Sequence, residues 1–245
     1  MRIAILSDIH GNVPALEAVL ADAREQGAEQ LICLGDLAFM GSQPGECVAR
    51  IRDLGIPCIH GNTDLFLLEA AGITPNRPLS LPKGALDGMM PTLRWQVERM
   101  ARADLEFLAA LPFSHRMKVD GQTLLFVHAS PHDVMAGIRP TMSPDEIRPL
   151  LRGEEADWII VGHVHEPYVF RFEGRWLANP GAVGAPRDGD SRASYAILDT
   201  ARSSFAVRRV AYDWEAAVAA ARERGFFMDP DRYGTYLAQG TWPDK

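Results

Sequence analysis

Short apolar runs alternate with amphipathic stretches along the first part of the chain. Runs rich in Ile, Val and Leu, bounded by glycine or polar residues, are typical of buried strands. Three such runs lie at residues 2–7, 30–34 and 56–60. Between and after them, apolar residues at helical spacing predict helices at 13–26 and 44–54, and a third helix that begins at Asn62. This alternation predicts parallel β-α-β units.

Residues 72–91 interrupt the alternation with four prolines and three glycines. These are too many for a helix or a central strand, because proline lacks an amide donor and glycine weakens both elements. We expect an excursion from the domain that could serve as a lid, since long ordered loops are often functional. A helix is predicted to follow at residues 93–110.

In the second half of the chain the strands come in closer pairs. Asp120-Gly121 is a strong hairpin signal and Glu173-Gly174 a weaker one. Strands are predicted at 113–119, 122–127, 158–161, 167–172, 175–178, 193–199 and 203–210, with a helix at 213–224. We therefore expect mixed parallel and antiparallel pairing in an α/β or α+β fold, most simply as two packed sheets flanked by helices.

Composition and charge narrow the class of protein. A chain of 245 residues with 47% hydrophobic and 23% charged content predicts one globular domain over 1–245, with residues 226–245 as a tail docked through Trp242 and two tyrosines. No apolar run approaches the length of a bilayer span or a secretory signal, and three cysteines without CxxC spacing suggest buried, reduced thiols. We therefore predict a cytoplasmic protein. A net charge of −7 argues against a broad nucleic-acid surface.

Five of the apolar runs end in residues that can bind a metal or a phosphate. In sheets built from alternating strands and helices, ligands bind beyond the carboxyl ends of the strands, so these endings are expected to converge. Together they supply two carboxylates, one amide and four imidazoles, from Asp8, His10, Asp36, Asn62, His128, His163 and His165.

This mixture of ligands indicates a particular kind of metal site. Imidazole with carboxylate suits Mn, Fe, Co, Ni or Zn better than magnesium, which prefers oxygen ligands. Seven ligands are too many for one ion, so two ions sharing a bridging carboxylate are expected, with Asp36 as the bridge. Two such ions would outweigh the nearby carboxylates and leave a locally positive pocket that attracts phosphate. We predict two divalent ions, with Mn²⁺ favoured.

The same residues, read as blocks, resemble the calcineurin-like metallophosphoesterase superfamily in order and spacing. The blocks are Ser7-Asp8-Ile9-His10-Gly11-Asn12, Gly35-Asp36, Gly61-Asn62-Thr63-Asp64, Val127-His128 and Gly162-His163-Val164-His165. Asn179-Pro180-Gly181 and the stretch 186–190 are similar to its small bacterial phosphodiesterase branch. The resemblance implies a four-layer α-β-β-α sandwich with two mixed sheets. It also implies one metal at Asp8, His10, Asp36 and His165, and a second at Asp36, Asn62, His128 and His163.

The resemblance implies a phosphoesterase that acts on a small phosphoester, and we favour a phosphodiesterase. A hydroxide bridging the two metals would attack phosphorus in line with the leaving oxygen, while both ions and His128 or Arg187 stabilise the charge that develops. Residues 186–189 are equally typical of a solvated surface turn, which is the alternative interpretation of Arg187. One departure is Thr63, where many members have a histidine that serves the leaving group. His60 and His132 are the nearby substitutes, and our hypothesis is that His132 faces the substrate.

The sequence is also compatible with other functions. A non-catalytic scaffold is one, because one retromer subunit resembles this fold, although the complete ligand set argues against it. A nuclease is disfavoured by the acidic balance and by Thr63. A dinucleoside-polyphosphate hydrolase or phosphoprotein phosphatase is disfavoured by Thr63 and by the lack of an Arg-Gly pair after Asp36. A homo-oligomer is compatible with all of these readings.

Overall fold

A computed structural model describes residues 1–79, 81–82 and 84–241. Its strands are β1 Arg2–Leu6, β2 Gln30–Cys33, β3 Ser114–Val119, β4 Gln122–Val127, β5 Trp158–Ile160, β6 Tyr168–Phe172, β7 Arg175–Asn179, β8 Ala193–Asp199 and β9 Ser204–Val210. Its α-helices are α1 Val13–Glu25, α2 Pro44–Leu54, α3 Asn62–Ala70, α4 Met90–Val97, α5 Arg102–Ala110, α6 Pro144–Leu150, α7 Trp214–Glu223 and α8 Pro230–Gln239. None of the helices in these ranges is both long and apolar enough to cross a bilayer.

The strands form two mixed sheets. The first has the order β2-β1-β8-β9, in which β1 and β2 are parallel and the other pairs antiparallel. The second has the order β3-β4-β5-β7-β6, in which β5 runs parallel to both β4 and β7. Antiparallel pairs at both edges of the second sheet complete it. The predicted mixed pairing is therefore confirmed.

Three layers of apolar packing account for the four-layer sandwich. Between the sheets, Ile3 and Ile5 of β1 lie in one cluster with Phe126 of β4 and with Trp158. The outer face of the first sheet packs against α1, α2 and α3, and the outer face of the second packs against α6 and neighbouring loops. Helices on the outside and two sheets within make the α-β-β-α architecture that the resemblance implied, and the fold is confirmed.

Helix α1 shows how the local sequence specifies these elements. The side-chain Oδ1 of Asn12 accepts a hydrogen bond from the Ala15 amide at 3.2 Å, which caps the first turn. Pro14 follows in that turn, where its missing amide has no cost. Leu16 and Val19 then lie on the buried face against the first sheet. The cap and the apolar stripe fix both the start and the orientation of the helix.

Two predicted elements differ in the structure. The run at 56–60 makes only an isolated bridge between Cys33 and Cys58. Pro57 has no amide to donate, and the His60 amide already turns away to the Pro112 carbonyl at 3.1 Å, so no ladder develops. The predicted helix at 93–110 is two helices, α4 and α5, because the Asp104 carboxylate accepts from the Ala101 amide at 3.0 Å and starts a new helix.

Helices α6 and α8 were not predicted. Ser143 and Glu146 form a capping box at the start of α6, a signal that the sequence carries. In the tail, the Asp229 carboxylate caps α8, and Leu237 packs against α7. Trp242 lies outside the described residues, as do Ser80 and Lys83 of the excursion at 72–91. The single-domain boundary and the function of the excursion as a lid stay predictions.

Candidate metal centre

Loops from both sheets bring the predicted ligands to one end of the sandwich. Asp8 and His10 follow β1, and Asp36 follows its parallel neighbour β2. His128 follows β4, while His163 and His165 follow the adjacent parallel strand β5. Asn62 is the first residue of α3 and reaches the same place from the loop after the Cys58 bridge. The convergence expected from the carboxyl ends of parallel strands is present.

The backbone of these loops is unusual. Among the described residues, nine that are not glycine have a positive φ, and five of them are predicted ligands: Asp8, His10, Asp36, His163 and His165. Their φ values range from 49° for His10 to 68° for His163. A left-handed conformation is unfavourable for such residues and clusters at functional sites. The fold thus maintains a strained arrangement where these side chains meet.

Glycines permit a close approach of these loops. A Cβ on Gly61 would lie 2.0 Å from Oδ1 of Asp36, and a Cβ on Gly162 would lie 2.0 Å from Oγ of Ser7. Both distances are far inside van der Waals contact. The glycines that flank the ligands are therefore required by packing at these two positions.

The first group of candidate ligands is Asp8, His10 and His165. Nε2 of His10 lies 3.1 Å from Nε2 of His165, and Oδ1 of Asp8 lies 3.2 Å from Nε2 of His165. Oδ1 of Asp8 also lies 3.7 Å from Nε2 of His10. All three residues are buried. Three donor atoms this close to a common point could hold one metal ion.

The second group surrounds Asn62. Its side-chain Oδ1 lies 3.0 Å from Nε2 of His128 and 2.9 Å from Nδ1 of His163. Asp36 lies between the groups, because its Oδ2 is 3.5 Å from Nε2 of His128 and 3.7 Å from Nε2 of His10. This position is the one that a bridging carboxylate requires. All seven predicted ligands are thus brought together.

Backbone carbonyls fix the orientation of three imidazoles. Nδ1 of His10 lies 2.7 Å from the Phe39 carbonyl, and Nδ1 of His128 lies 2.7 Å from the Leu34 carbonyl. Nδ1 of His165 lies 2.5 Å from the Ala185 carbonyl. A carbonyl only accepts, so Nδ1 must carry a proton, and Nε2 is the nitrogen that would bind a metal ion after losing any proton that it holds. Such outer partners are a regular feature of metal-binding histidines.

The hydrogen bonding of the Asp8 carboxylate shows whether these residues fit a metal ion. Oδ2 accepts from the Ser7 hydroxyl at 2.6 Å and from the His163 amide at 3.0 Å. Oδ1 is buried and has no hydrogen-bond partner among the described residues. A buried carboxylate oxygen without a partner is costly unless it binds a cation. The donor set and this oxygen fit a divalent ion.

Asp64 supports the site and was not predicted to do so. It is fully buried, and its Oδ2 accepts from the amides of Asp36 and Gly61, both at 2.8 Å. Its Oδ1 accepts from the Leu37 amide at 2.9 Å. Asp64 therefore ties the loop of Asp36 to the loop of Asn62. The sequence signals Asp64 only as an acidic residue at the third position of a helix, which predicts a helix cap and does not predict a support for the site.

Burial and mutual charge shift the pKa of several groups. Burial raises the pKa of Asp8, but His165 and His10 more than offset this and hold it well below its usual value. Burial lowers the pKa of His128, yet the Asp36 and Asp8 carboxylates raise it to about 10. Burial and the charge of Asp36 raise the pKa of Asp64 to about 6. The centre thus holds ionised carboxylates that a bound cation would neutralise.

Three further residues lie around the cluster without joining it. His132 is exposed, and its Nε2 lies 2.7 Å from the Arg152 carbonyl. Arg187 is half-buried; burial lowers the pKa of His165, and the charge of Arg187 also acts to lower it. The side-chain hydroxyl of Thr63 is buried, while its amide donates to Oδ1 of Asp36 at 2.9 Å. The structure does not bring His132 into the cluster, and its predicted role in turnover stays a prediction.

The chain is similar to proteins of one family. Residues 1–203 match the sequence model of the calcineurin-like phosphoesterase superfamily domain. The protein MJ0912 of Methanocaldococcus jannaschii is 34% identical over 230 residues, which are 88% of this chain and 89% of that protein. Phosphodiesterase YfcE of Escherichia coli is 23% identical over 209 residues, or 81% and 88% of the two chains. The crystal structure of a metallophosphoesterase from Sphaerobacter thermophilus superposes with a TM-score of 0.76 at 31% identity, covering 98% and 99% of the chains.

Proposed function

The chain belongs to the calcineurin-like phosphoesterase superfamily, and we propose that it is a phosphodiesterase that depends on two divalent metal ions. Members of this family act on phosphoesters, and the Asp and His groups of this chain could hold metal ions. The two-ion mechanism, the preference for diesters and the preference for Mn²⁺ are our proposals. A location in the cytoplasm and the oligomeric state stay predictions.

The observation that supports the proposal most directly is the donor set around Asp36. Its Oδ2 lies between Nε2 of His10 and Nε2 of His128, 3.7 and 3.5 Å away. Each histidine belongs to a different group of ligands, and each turns Nε2 inward because a carbonyl fixes its Nδ1. A single carboxylate that serves two groups is characteristic of a two-metal site. The unpartnered Oδ1 of Asp8 adds a buried acceptor on one side.

The residues of the chain have separate tasks in this proposal. Two ions bound there would activate a water molecule and place positive charge beside the phosphate. Asp64 keeps Asp36 in position through the loop amides that it accepts. The charge of Arg187 acts on His165, and its guanidinium would pair with a phosphoryl oxygen at this site. The buried walls around Asp8 and His128 exclude bulk water and strengthen these charge interactions.

Two findings favour a diester over a monoester. The relative YfcE is named a phosphodiesterase, and the match covers most of both chains. Thr63 stands where many members have a histidine that serves the leaving group, and the Thr63 hydroxyl is buried without a partner among the described residues. A general acid typically contributes about 10²- to 10⁴-fold. We therefore propose that the natural substrate is a small diester with a good leaving group.

The test is hydrolysis of bis-p-nitrophenyl phosphate and of p-nitrophenyl phosphate by chelator-stripped protein, before and after Mn²⁺ is added. The proposal expects turnover that requires the metal and is faster for the diester. Faster monoester turnover would overturn the diester preference. Silence on both substrates, with two Mn²⁺ ions verifiably bound, would instead favour a non-catalytic scaffold.

Arg187 can be tested in the same assay. Replacing Arg187 with Ala removes the guanidinium near the metal groups, so KM for the diester should rise or turnover fall by about 10-fold, as expected for one charge-assisted hydrogen bond. Arg202→Ala is the matched control, because the Arg202 side chain is 82% exposed and pairs with Asp199 in a hairpin turn. Equal kinetics in the two variants would assign Arg187 to the surface turn.

A further inference from the structure

A cavity of 270 Å³ lies next to the metal centre. We call it the His60 pocket and define it by His60, Leu65, Arg77, Leu79, Phe113 and Val134, which line it. Complete small-molecule sites usually occupy about 300 to 1,000 Å³. The His60 pocket is therefore suited to one group of a ligand, with the rest of the ligand outside it.

Part of the wall of this pocket comes from the two segments that carry Asn62 and His128, and the rest comes from the excursion and from Phe113. His60 lies two residues before Asn62, the first residue of α3, and Leu65 lies about one turn after Asn62 in that helix. Val134 is in the loop that leaves β4 through His128. The charges of His128 and Asp36 also act on the His60 imidazole. A ligand whose phosphate lies at the metal centre can thus place a neighbouring group in the pocket.

His60 lies at the boundary between the pocket and the metal centre. It is 1% exposed, and neither ring nitrogen has a hydrogen-bond partner of good geometry among the described residues. Its ring meets Phe113 edge-on at 5.9 Å between centroids. A neutral imidazole holds one donor and one acceptor. A polar atom that enters at this boundary would supply the missing partner.

The rest of the lining is mixed. Leu65, Leu79 and Val134 supply apolar surface, while Arg77, His132 and Asp133 supply polar or charged groups. The Arg77 guanidinium lies 3.7 Å from the centroid of the Phe113 ring and donates to the His132 carbonyl at 3.4 Å. These contacts hold Arg77 in place, and its positive charge offsets the negative charge of Asp133 in the same lining. The lining therefore combines apolar surface with polar groups of both signs.

We infer that the His60 pocket binds the organic group of one ester of the substrate, a compact apolar ring, while His60 bonds an oxygen of the phosphoester. This inference rests on the proposed function and specifies its substrate class. A larger cavity of 430 Å³ lies under the excursion and shares Leu65 and Leu79. Neither His60 nor any residue of the loop that follows His128 lines that cavity, whereas both contribute to the His60 pocket, so the His60 pocket is the better placed to receive a group attached to the phosphate.

The experiment measures binding of methylphosphonate and phenylphosphonate to the Mn²⁺-loaded protein by calorimetry, with inorganic phosphate as the reference. At a pH above the second pKa of both acids the two phosphonates are dianions, so the ratio of their dissociation constants measured there reports the ring alone. We expect phenylphosphonate to bind about 10-fold more tightly, because the ring leaves water for an apolar cavity. No advantage for the ring, with methylphosphonate bound, overturns the inference and leaves the proposed function intact. Failure of all three anions to bind contradicts the proposed function itself.

Two variants test whether the ring of phenylphosphonate enters the His60 pocket. Val134→Phe fills the cavity and should reduce the ratio to about 1 without changing the affinity for methylphosphonate. Leu79→Trp narrows the same cavity from a less buried side, and this variant is used in place of Val134→Phe if Val134→Phe does not fold. Val169→Phe is the matched control, since Val169 is 40% exposed on β6. An equal fall in the ratio for Val169→Phe and the pocket variant would overturn the assignment of the ring to this cavity.

His60→Phe tests the hydrogen bond at the boundary. It should weaken both phosphonates equally, by about 10-fold, and preserve the ratio between them, because the apolar interior is unchanged. The number of bound Mn²⁺ ions is measured alongside and should not change. Unaltered affinity for both phosphonates would remove His60 from the inference.

Discussion

Left-handed residues other than glycine occur at both ends of the sandwich, but their surroundings differ. At one end, which we call the hairpin end, Asp120, Glu173 and Ser203 have φ values of 49°, 45° and 48° and are exposed. At the other, the ligand end, five predicted ligands share this conformation, and four of them are buried. The same backbone geometry therefore arises in two different ways.

Local sequence is sufficient at the hairpin end. Asp120 and Glu173 each precede a glycine, and this pairing suits the two-residue turns that join antiparallel strands. At the ligand end the loops are fixed by partners distant in sequence. The Asp8 amide donates to the Gly35 carbonyl at 3.1 Å, and the His163 amide donates to Oδ2 of Asp8 at 3.0 Å. Residues held in this strained conformation by such contacts cluster at functional sites.

The largest effect is expected at the centre of the ligand end. Asp36→Asn removes the charge shared by the two groups and places an amide opposite His10 and His128. Bound Mn²⁺ should fall from two ions to one or fewer, and diester turnover should fall by more than about 100-fold, because even outer partners of ligands cost about 10- to 100-fold. Metal analysis and the diester assay measure both. A variant that retains two ions and full turnover rules out the bridging carboxylate.

A pair of glycine substitutions sharpens the contrast between the ends. Gly61→Ala has no backbone strain, since φ at Gly61 is −95°, but its Cβ would lie 2.0 Å from Oδ1 of Asp36. Mn²⁺ affinity should fall by about 10- to 100-fold as Asp36 is displaced. Gly121→Ala is the opposite case, with a φ of 76° and no atom within 4 Å of the new Cβ.

Gly121→Ala should therefore lower the free energy of unfolding by about 1–2 kcal/mol, the cost of a left-handed alanine, without changing Mn²⁺ affinity. Chemical denaturation and calorimetric titration with Mn²⁺ give the two quantities for each variant. If Gly121→Ala weakened Mn²⁺ binding as much as Gly61→Ala, the distinction between the two ends would be wrong.

The smallest effect is expected at Asp120. Its carboxylate accepts from the Thr200 hydroxyl at 2.5 Å and from the terminal ammonium at 3.2 Å, and these contacts lower its pKa. A carboxyl whose pKa is lower when folded stabilises the protein above its unfolded pKa, about 3.9, and this contribution is lost as the pH falls through the folded pKa.

Asp120→Asn should therefore cause a small fall in Tm at pH 7 that shrinks as the pH falls below about 3.9 and through the folded pKa of Asp120. Thermal unfolding from pH 7 into the acid range measures it, and diester turnover should be unchanged. A difference in Tm that did not shrink as the pH was lowered below about 3.9 would show that the carboxylate charge is not the cause.

Most of the fold follows from local signals. The strand at 122–127 and the helix at 44–54 have the predicted bounds, because apolar periodicity and proline position are sufficient there. The prediction of a strand at 56–60 was wrong, because the hydrogen bonding of this run depends on the segments that pack beside it. The break between α4 and α5 was also missed, since apolar periodicity continues across it and only the Asp104 cap marks it.

The candidate site divides in a similar way. Residue type and order predicted all seven members of the cluster, since a strand ending in Asp, His or Asn is informative when several strands end alike. Asp64 was missed as a support because its three amide partners come from loops that sequence spacing does not relate. His60 was left aside because one histidine on an apolar run carries no signal until the cavity beside it is visible.

The sequence by itself determined the strands, most helices, the hairpins and the set of candidate ligands, because these depend on short-range periodicity and on the chemistry of each side chain. Only the tertiary structure decided which nitrogen of each imidazole faces the centre, which oxygen of Asp8 lacks a partner and which cavity adjoins the phosphate position. These properties depend on carbonyls, amides and walls supplied by segments far apart in the chain. Their distances are set by the packing of two sheets, which no local pattern records.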